Sequence, residues 1–443
     1  MAIQLSDHFD YRRLLRFTAP SIFTMIFTSI YSIVDGLFVS NLVGKTAFTA
    51  VNFAMPILMV LGAIGFMFGA GGSALIAKTM GEGKPQKAKE QFSLLVLCGT
   101  ICGIVLGIGG FIAMRPLCAL LGAEGQLLED SVLYGCTILL AMPFYLLQVE
   151  FQSFFIAAEK PQLGMWMTIL SGVLNMLLDW ILVGVCSLGL VGAALATAIS
   201  QTVGGVAALI YFALPNSGLL RLCRPKWDFR ALLKVCTNGS SELMSNVAMS
   251  ALGVLYNVQL LKYAGEDGVA AYGVVMYVMM IFLSVYIGYG TGIAPVVSYH
   301  FGAQNHQELK NLFRRSVRIT AVCSLLMFAA GMLLADPLSR IFVGYDPTLL
   351  GMTIHAFRVY SVSFLLSGVA ILGSCFFTAL NDGVTSAIIS FMRTLVFQTA
   401  AVLLMPLVWD VDGIWWSVVG SEAMAMAVSI FFFYRHRNKF HYA

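Results

Sequence analysis

The chain has 443 residues, of which 59% are hydrophobic and only 11% are charged, and its formal net charge is +4. A soluble globular domain carries about 25% charged residues, so this composition excludes an ordinary soluble fold and indicates an integral membrane protein. The small positive excess follows from the placement of basic residues relative to the membrane, described below, and does not predict a nucleic-acid partner.

Apolar stretches of about 20 residues recur along the whole chain, each long enough to cross a hydrocarbon layer of about 30 Å as a helix. We therefore predict an all-α membrane protein with twelve transmembrane helices. The predicted spans are 14–39, 51–77, 92–113, 131–156, 163–184, 190–213, 235–261, 269–297, 316–335, 354–379, 385–408 and 413–435. We expect the first span to remain as an anchor, because no cleavable signal sequence precedes it.

The chain also contains an internal repeat. Residues 16–92 align without a gap to residues 237–313, at an offset of 221, and Gly44 thereby matches Gly265. Membrane carriers built from two similar halves place a substrate pathway between the repeats. We predict two pseudo-symmetric six-helix bundles with a linker between them. The predicted parts are an N-terminal lobe at 1–213, a cytoplasmic linker at 214–234 and a C-terminal lobe at 235–443.

The basic residues predict the orientation of these helices. With the N-terminus inside, 20 of the 26 lysines and arginines lie in cytoplasmic segments. The outer loops then hold only Lys45, Arg115, Lys262 and Arg340. This bias follows the positive-inside rule. It predicts a multi-pass protein of the cytoplasmic (inner) membrane with both termini in the cytoplasm.

Five acidic residues fall inside predicted spans, although a carboxylate at the centre of a membrane costs about 3 kcal/mol. Acidic residues in that position usually face a cavity and have a partner, so each of the five is a candidate functional residue. They are Asp35, Glu150, Asp179, Glu242 and Glu422.

Asp35 and Asp179 belong to a pattern typical of a cation or proton site. Asn175 and Asp179 are four residues apart in the fifth span, so they lie on one helical face. Carboxylate and amide oxygens suit a hard cation such as Na+, and a carboxyl group also binds a proton. Asp35 in span 1 and the hydroxyl of Thr197 in span 6 are further candidates. The pattern alone leaves open ordinary polar bonds between helices.

The other three acids have less distinctive surroundings. Glu150 lies between two glutamines, in an unusually polar stretch of span 4. Glu242 is predicted in the first turn of span 7, where a helix N-terminus favours a negative charge. Glu422 lies in span 12, and Arg393 in span 11 is a candidate partner for one of the acids. We treat all three as candidate substrate-binding or coupling acids.

Pro20 lies within span 1, about four turns before Asp35. A proline inside a helix removes a hydrogen bond and permits a kink. Two interpretations are open at this point: a static kink, or a hinge that responds to the state of Asp35.

Several motifs accompany the two six-span halves and Pro20. They are Val34-Asp35-Gly36, Gly81-Glu82-Gly83-Lys84, Ala158-Glu159-Lys160-Pro161, Asn175 with Asp179, and Gly192-Ala193-Ala194-Leu195-Ala196-Thr197. Together they resemble the multidrug and toxic-compound extrusion (MATE) transporters over essentially the whole chain, and especially their MepA-like bacterial branch. The resemblance implies two bundles that form a V around a central cleft.

The resemblance also implies a site. In relatives with a characterised N-lobe cation site, an Asp of span 1, an Asn and an Asp of span 5 and a Thr of span 6 line it. The matching residues are Asp35, Asn175, Asp179 and Thr197. Some relatives have a second cation site in the C-terminal lobe, with acids in spans 7 and 10. This chain has Met249 at the aligned position of span 7 and no acid within span 10.

We predict a secondary transporter, and not an enzyme, that exports organic cations or drugs in exchange for Na+ or H+ by alternating access. The 23 methionines and 32 phenylalanines suit promiscuous binding of flat apolar cations. No cofactor is expected besides the coupling ion. The expected partners are these small molecules and membrane lipids, and the expected state is a monomer. The alternative is a lipid or lipid-linked oligosaccharide flippase, which needs a basic cavity; Arg358 and Arg393 are its candidates.

Overall fold

The structure is a computed structural model that describes residues 3–38, 43–215 and 218–442, apart from three side chains in the α1–α2 region. All regular elements in these ranges are helices. The first half contains α1 (Tyr11–Phe38), α2 (Lys45–Gly81), α3 (Pro85–Leu120), α4 (Gly125–Leu139), α5 (Met142–Ala157), α6 (Pro161–Asp179) and α7 (Gly189–Ala213). The second half contains α8 (Phe229–Gly302), α9 (His306–Val343), α10 (Pro347–Ala379), α11 (Gly383–Phe391), α12 (Gln398–Leu404) and α13 (Pro406–Phe440).

Parts of three predictions lie outside the described residues. They are Val39 at the end of predicted span 1, residues 216 and 217 of the predicted linker, and residues 1, 2 and 443 at the ends of the predicted lobes.

The helices account for twelve membrane crossings. Within the described ranges, ten helices are long and apolar enough to cross a membrane, and α4 and α5 together form one further bent crossing. α8 contains 74 residues, which would make a single helix of about 110 Å. Non-helical backbone at Gly265 (φ 66°, ψ −156°) divides it into two spans. The predicted all-α fold with twelve transmembrane helices is therefore confirmed.

Two of the predicted spans contain a break or a change of helix type. Span 4, predicted at 131–156, is broken between α4 and α5, which are bent by 59°. The break lies just before Pro143, which occupies the first turn of α5, where a missing N–H costs no helical hydrogen bond. Span 11, predicted at 385–408, contains a π-helical turn at Met392–Phe397 between α11 and α12.

The predicted start of span 7 was also wrong. α8 begins at Phe229, inside the predicted linker, because Asp228 accepts a hydrogen bond from the Ala231 backbone N at 3.1 Å and so caps the helix. Glu242 therefore lies more than three turns inside α8. The favourable field of a helix N-terminus acts only over the first turn, so it does not explain this acid.

The backbone preserves the internal repeat. Gly44, which precedes α2, has φ 111°, and Gly265, which lies 221 residues later, has φ 66°. Both values lie in the region where a side chain is disfavoured, so the recurrence of glycine has a steric reason. Gly189 (φ 54°) and Asp410 (φ 47°) are a second such pair at the same offset.

Glycines let the two halves of the chain pack closely. A Cβ atom on Gly71 of α2 would collide with the Val235 carbonyl of α8, and one on Gly239 would lie 2.7 Å from the Met67 carbonyl carbon. In the repeat-related contact, a Cβ atom on Gly288 of α8 would lie 2.6 Å from Cα of Ile22 in α1. We call these two pairings, α2 with α8 and α1 with α8, the lobe contact.

The ends of α2 and α8 extend this packing to the predicted cytoplasmic surface. A Cβ atom on Gly81 would lie 2.9 Å from the Tyr299 carbonyl carbon, and one on Gly302 would meet the Lys78 carbonyl. Gly81 and Gly302 are themselves 221 residues apart. The two halves are therefore closed against each other on this side of the membrane.

The N-terminal segment crosses the same closed side. Leu5 N donates to Oε1 of Glu159 at 2.5 Å, and Phe9 N donates to Oε1 of Glu308 at 2.9 Å. Burial acts to raise the pKa of Glu308, but the hydrogen bonds from Phe9 and His8 outweigh it and hold that pKa below its usual range. The segment thereby bridges the α5–α6 connection and α9.

Candidate cation site in the N-terminal lobe

The structure brings four predicted site residues together. Asp35 comes from α1, Asn175 and Asp179 come from α6, and Thr197 comes from α7. All four are buried, with exposed fractions of 8%, 0%, 0% and 5% in that order. Three separate helices thus meet around a group of polar side chains inside an apolar lobe.

A glycine allows α1 and α6 to approach closely enough for this. A Cβ atom on Gly172 of α6 would lie 2.5 Å from the ring of Phe27 and 3.6 Å from the ring of Tyr31, both on α1. Without a side chain at Gly172, the two rings lie directly on α6. Asp35, one turn beyond Tyr31, is then next to the end of α6.

The two carboxyl groups interact directly. The side chains of Asp35 and Asp179 lie close enough to share a proton. Because two neighbouring carboxylates repel each other when both are ionised, the arrangement favours a state in which one of the two carries a proton. Oδ1 of each acid has no hydrogen-bond partner among the described residues. The pair therefore has oxygen atoms available to a further proton or cation.

Asn175 holds one acid in place. Its Nδ2 donates to Oδ2 of Asp179 at 3.2 Å, and its Oδ1 accepts from the Thr197 backbone N at 3.2 Å, in the amide orientation that satisfies both neighbours. Asn175 thus links α6 to α7 and fixes the direction in which the Asp179 carboxyl group faces.

Two tyrosines at this site were not predicted. Tyr134 of α4 is 1% exposed, its hydroxyl lies beside the Thr197 side chain, and it is close enough to interact electrostatically with both acids. Tyr31 of α1 also interacts with both acids. Tyr31 was identifiable from its four-residue spacing to Asp35. No local pattern marks Tyr134, because its role depends on the packing of α4 against α7.

A change of helix type begins directly after Asp179. Residues Trp180–Val185 form a π-helical turn, a wider geometry that is rare and occurs often at functional sites. A Cβ atom on Gly192 of α7 would lie 3.0 Å from the Leu182 carbonyl oxygen in this turn. The wide turn thus packs directly on the backbone at the start of α7.

Within the described residues, the acid pair has no basic partner. Among the ion pairs of the described residues, none includes Asp35 or Asp179. The same part of the chain contains no group of three or more His, Cys, Asp and Glu residues that could hold a metal ion. Two acids supported by amide and hydroxyl groups instead suit a proton or a hard monovalent cation.

Glu150 lies elsewhere in the same lobe. It is fully buried in α5, and its carboxyl group lies against Gly99 of α3. The neighbouring glutamines Gln148 and Gln152 face the other way and donate to Ser171 and Thr168 of α6. Our prediction of one polar stretch was wrong, because residues two apart on a helix point to opposite sides.

The C-terminal lobe uses its buried charges differently. Arg393 binds Glu422 through Nε, at 3.0 Å to each carboxylate oxygen, and through Nη2, at 2.8 Å to Oε1. Glu242 lies within electrostatic reach of Arg393. The sequence left the partner of Arg393 open, and the structure shows that it is Glu422. None of these three residues joins the site formed by Asp35 and Asp179.

Pro20 does not break α1, which runs as one helix from Tyr11 to Phe38. Thr24 Oγ1 donates to the Pro20 carbonyl at 2.8 Å, so the helix is held on the C-terminal side of the proline. The hinge at Pro20 stays a prediction.

Comparison with known proteins agrees with the resemblance. The sequence model of the MatE family matches residues 20–181 and 243–404. The chain is 26% identical, over 97% of its length and 94% of the relative, to the multidrug export protein MepA of Staphylococcus saprophyticus. It is 25% identical, with the same coverage, to MepA of Staphylococcus haemolyticus.

The fold is likewise that of known transporters. A solved structure of a multidrug resistance MATE family transporter, described as outward-facing, matches with a TM-score of 0.93 and 22% identity, covering 100% of this chain and 99% of that chain. The two family matches together span most of the chain, one in each half. The chain therefore belongs to the MatE family of multi-pass membrane transporters and is not an enzyme, as its motifs predicted.

Proposed function

We propose that this protein is a multidrug efflux antiporter that exports small organic cations in exchange for H+ or Na+, with the coupling ion bound at Asp35, Asn175, Asp179 and Thr197. The observation that carries the proposal is the buried pair Asp35–Asp179, which has no basic partner in the described residues. A fixed ion pair would serve structure alone. An acid pair without a neighbouring cation needs an ion that binds and is later released, as coupling requires.

The position of α1 supports a route from this site to the rest of the molecule. α1 carries Asp35 near one end, and its middle belongs to the lobe contact, where Ser29 Oγ lies 2.6 Å from Ser284 Oγ of α8. A Cβ atom on Gly292 of α8 would lie 3.1 Å from Thr18. A change in occupancy at Asp35 can therefore shift α1, about Pro20, and alter the lobe contact.

The driving force is sufficient for export. One charge moving through 100 mV supplies about 2.3 kcal/mol, or about a 50-fold concentration ratio. The ion enters from the outer side and is released to the cytoplasm, and the drug moves the opposite way. This scheme assumes the predicted orientation in the inner membrane, with both termini in the cytoplasm.

The flippase alternative has less support. It needs a basic cavity for a phosphate headgroup, and its candidates were Arg358 and Arg393. Arg358 is exposed, and Arg393 is bound by the Glu422 carboxylate. Neither therefore offers a free buried cation to a headgroup. The lobes of one chain enclose the interface between the repeats, which supports a monomer as the working unit.

The test uses purified protein in liposomes loaded with a fluorescent organic cation. A Na+ gradient and a pH gradient are imposed separately, on the native chain, on Asp35→Asn and on Asp267→Asn as an exposed acid-to-amide control. We expect one gradient to drive dye movement in the native chain and the control but not in Asp35→Asn. Dye movement that is the same in all three proteins would overturn the proposed coupling site.

A further inference from the structure

We infer that Glu150 is a second proton-binding site, separate from the acid pair, that holds a proton while the lobe contact is closed and releases it when the contact opens. Protonation in the closed state follows from packing alone. The release step rests on the proposed alternating access.

The carboxyl group of Glu150 is sealed inside the protein. The residue is 0% exposed, and neither Oε1 nor Oε2 has a hydrogen-bond partner among the described residues. The group occupies the space that a side chain at position 99 would fill, since a Cβ atom on Gly99 would lie 2.6 Å from Cδ of Glu150. α2 closes the pocket from another side, with the Gly69 position 3.3 Å from Cα of Glu150.

The ionisable groups around Glu150 are thiols. Cys98 and Cys102 of α3 interact electrostatically with Glu150, and Cys236 of α8 interacts with both of these cysteines. α2 approaches this point at Gly69. The thiols are neutral near pH 7, since a free cysteine titrates at about 8.5. Among the described residues, no cation is therefore seen to face the carboxyl group.

An ionised Glu150 would be an isolated buried charge. Burial of an unpaired carboxylate costs several kcal/mol, and such a group takes up a proton instead. A metal ion is not indicated, because the described residues hold no group of acids and cysteines suited to one. The neutral, protonated carboxyl group is the form that fits this pocket.

The pocket is next to the lobe contact. Cys236 of α8 interacts with Cys98 and Cys102 beside the pocket. It directly follows Val235, whose carbonyl lies against Gly71 of α2. α8 belongs to the second half of the chain, whereas α3 and α5 belong to the first. When the halves part, α8 withdraws from these cysteines, and we expect water to reach the pocket. A hydrated carboxyl group loses its proton readily near pH 7.

The sign of the pH effect follows. The proton is bound more tightly in the closed form than in the open form. Raising the pH therefore favours the open form, by about tenfold per pH unit over the range in which Glu150 is protonated only when closed. In Glu150→Gln, which cannot ionise, this dependence is lost.

The first experiment observes the proton directly. Infrared spectra of the native protein in lipid nanodiscs are compared with those of Glu150→Gln, and with Glu150→Leu should the amide not fold. We expect the native protein at pH 7 to show the C=O stretch of a protonated carboxyl group that both variants lack and that Asp35→Asn keeps. Absence of that difference band would overturn the inference while leaving the proposed antiport untouched.

The second experiment links the proton to the lobe contact. Modification of Cys236 by a water-soluble maleimide is followed by peptide mass spectrometry over a range of pH, with the exposed Cys186 as an internal reference for thiol chemistry. We expect the Cys236/Cys186 rate ratio to rise more steeply with pH in the native chain than in Glu150→Gln. Identical pH profiles in the two proteins would exclude coupling between Glu150 and the contact.

Discussion

The two lobes share a frame of six spans but balance their buried charges in opposite ways. In the N-terminal lobe, Asp35 and Asp179 face each other without a basic residue among those that the structure describes. In the C-terminal lobe, the buried Glu422 is paired with Arg393 by a two-pronged contact. The first arrangement is incomplete without a mobile cation or proton, and the second is complete by itself.

The repeat shows where this difference arose. The position equivalent to Asp35, 221 residues later, is Tyr256. Its hydroxyl lies 2.8 Å from Ser417 Oγ and accepts from Gln398 at 3.4 Å. A neutral, satisfied hydroxyl has thus taken the place of a carboxyl group. Duplication preserved the packing of the helices, while the chemistry of the interior diverged, and this difference supports the proposal that ion coupling belongs to the first lobe.

The largest expected effect concerns the Arg393–Glu422 pair in the C-terminal lobe. Glu422→Gln leaves the Arg393 guanidinium buried without its counter-charge, which lowers the free energy of unfolding by about 3 kcal/mol. The double variant Glu422→Gln/Arg393→Met recovers most of this loss, because both charges are gone. Thermal unfolding, monitored by tryptophan fluorescence, measures the stability of the single variant and of the double variant. Equal stability of the single variant and the native chain would show that the pair is not structural.

The next effect concerns the acid pair in the N-terminal lobe. Asp179→Asn keeps the shape of the side chain and removes one titratable group, so we expect loss of the gradient-driven part of dye accumulation, about 50-fold at 100 mV. The folded state is expected to remain, because no basic partner is left unpaired. Transport under an imposed gradient measures the loss of gradient-driven accumulation, and thermal unfolding shows whether the variant is still folded. A stable variant with full accumulation would break the comparison between the lobes.

A smaller effect tests whether the two pairings of the lobe contact are equally important for keeping it closed. Gly239→Ala and Gly288→Ala, one in each pairing of the lobe contact, each place a methyl group against the backbone of the other half. Overpacking costs about 1–3 kcal/mol, so each variant shifts the lobe contact toward the open form by about tenfold. Gly253→Ala, on the same helix with free space around it, is the control. Cys236 modification reports the result, and a change with only one of the two alanines would show that the two pairings are unequal.

The smallest effect refines the ion site. Tyr134→Phe removes the hydroxyl group beside Thr197 and leaves the ring in place. A typical hydrogen bond contributes about 1 kcal/mol, so the affinity for the coupling ion falls by about fivefold. The half-saturating ion concentration for dye export measures the change. An unaltered value would show that Tyr134 only fills space beside the site.

Much of this was predictable from local sequence. Hydropathy and charge bias act over a single helix, so the spans, the repeat and the in-span acids were visible without a structure. The four-residue spacing of Asn175 and Asp179 placed them on one face. Family resemblance then grouped this pair with Asp35 and Thr197, which were already candidates but come from other helices.

The remaining features depend on how helices meet, and local patterns do not record that. Tyr134 reaches Thr197 only because α4 packs on α7. Arg393 and Glu422 are 29 residues apart along the chain, and their pairing depends on the packing of span 11 against span 12. The polar surroundings assigned to Glu150 were wrong because adjacent positions of a helix face different neighbours.

The central claim is that the coupling ion binds in the N-terminal lobe and is displaced by the drug. The direct measurement is the number of ions released per drug bound, determined with a pH-sensitive dye or with radioactive sodium on purified protein in nanodiscs. We expect release in the native chain and in Glu422→Gln/Arg393→Met, and none in Asp179→Asn. Release that persists in Asp179→Asn but disappears in the double variant would contradict the account and place coupling in the C-terminal lobe.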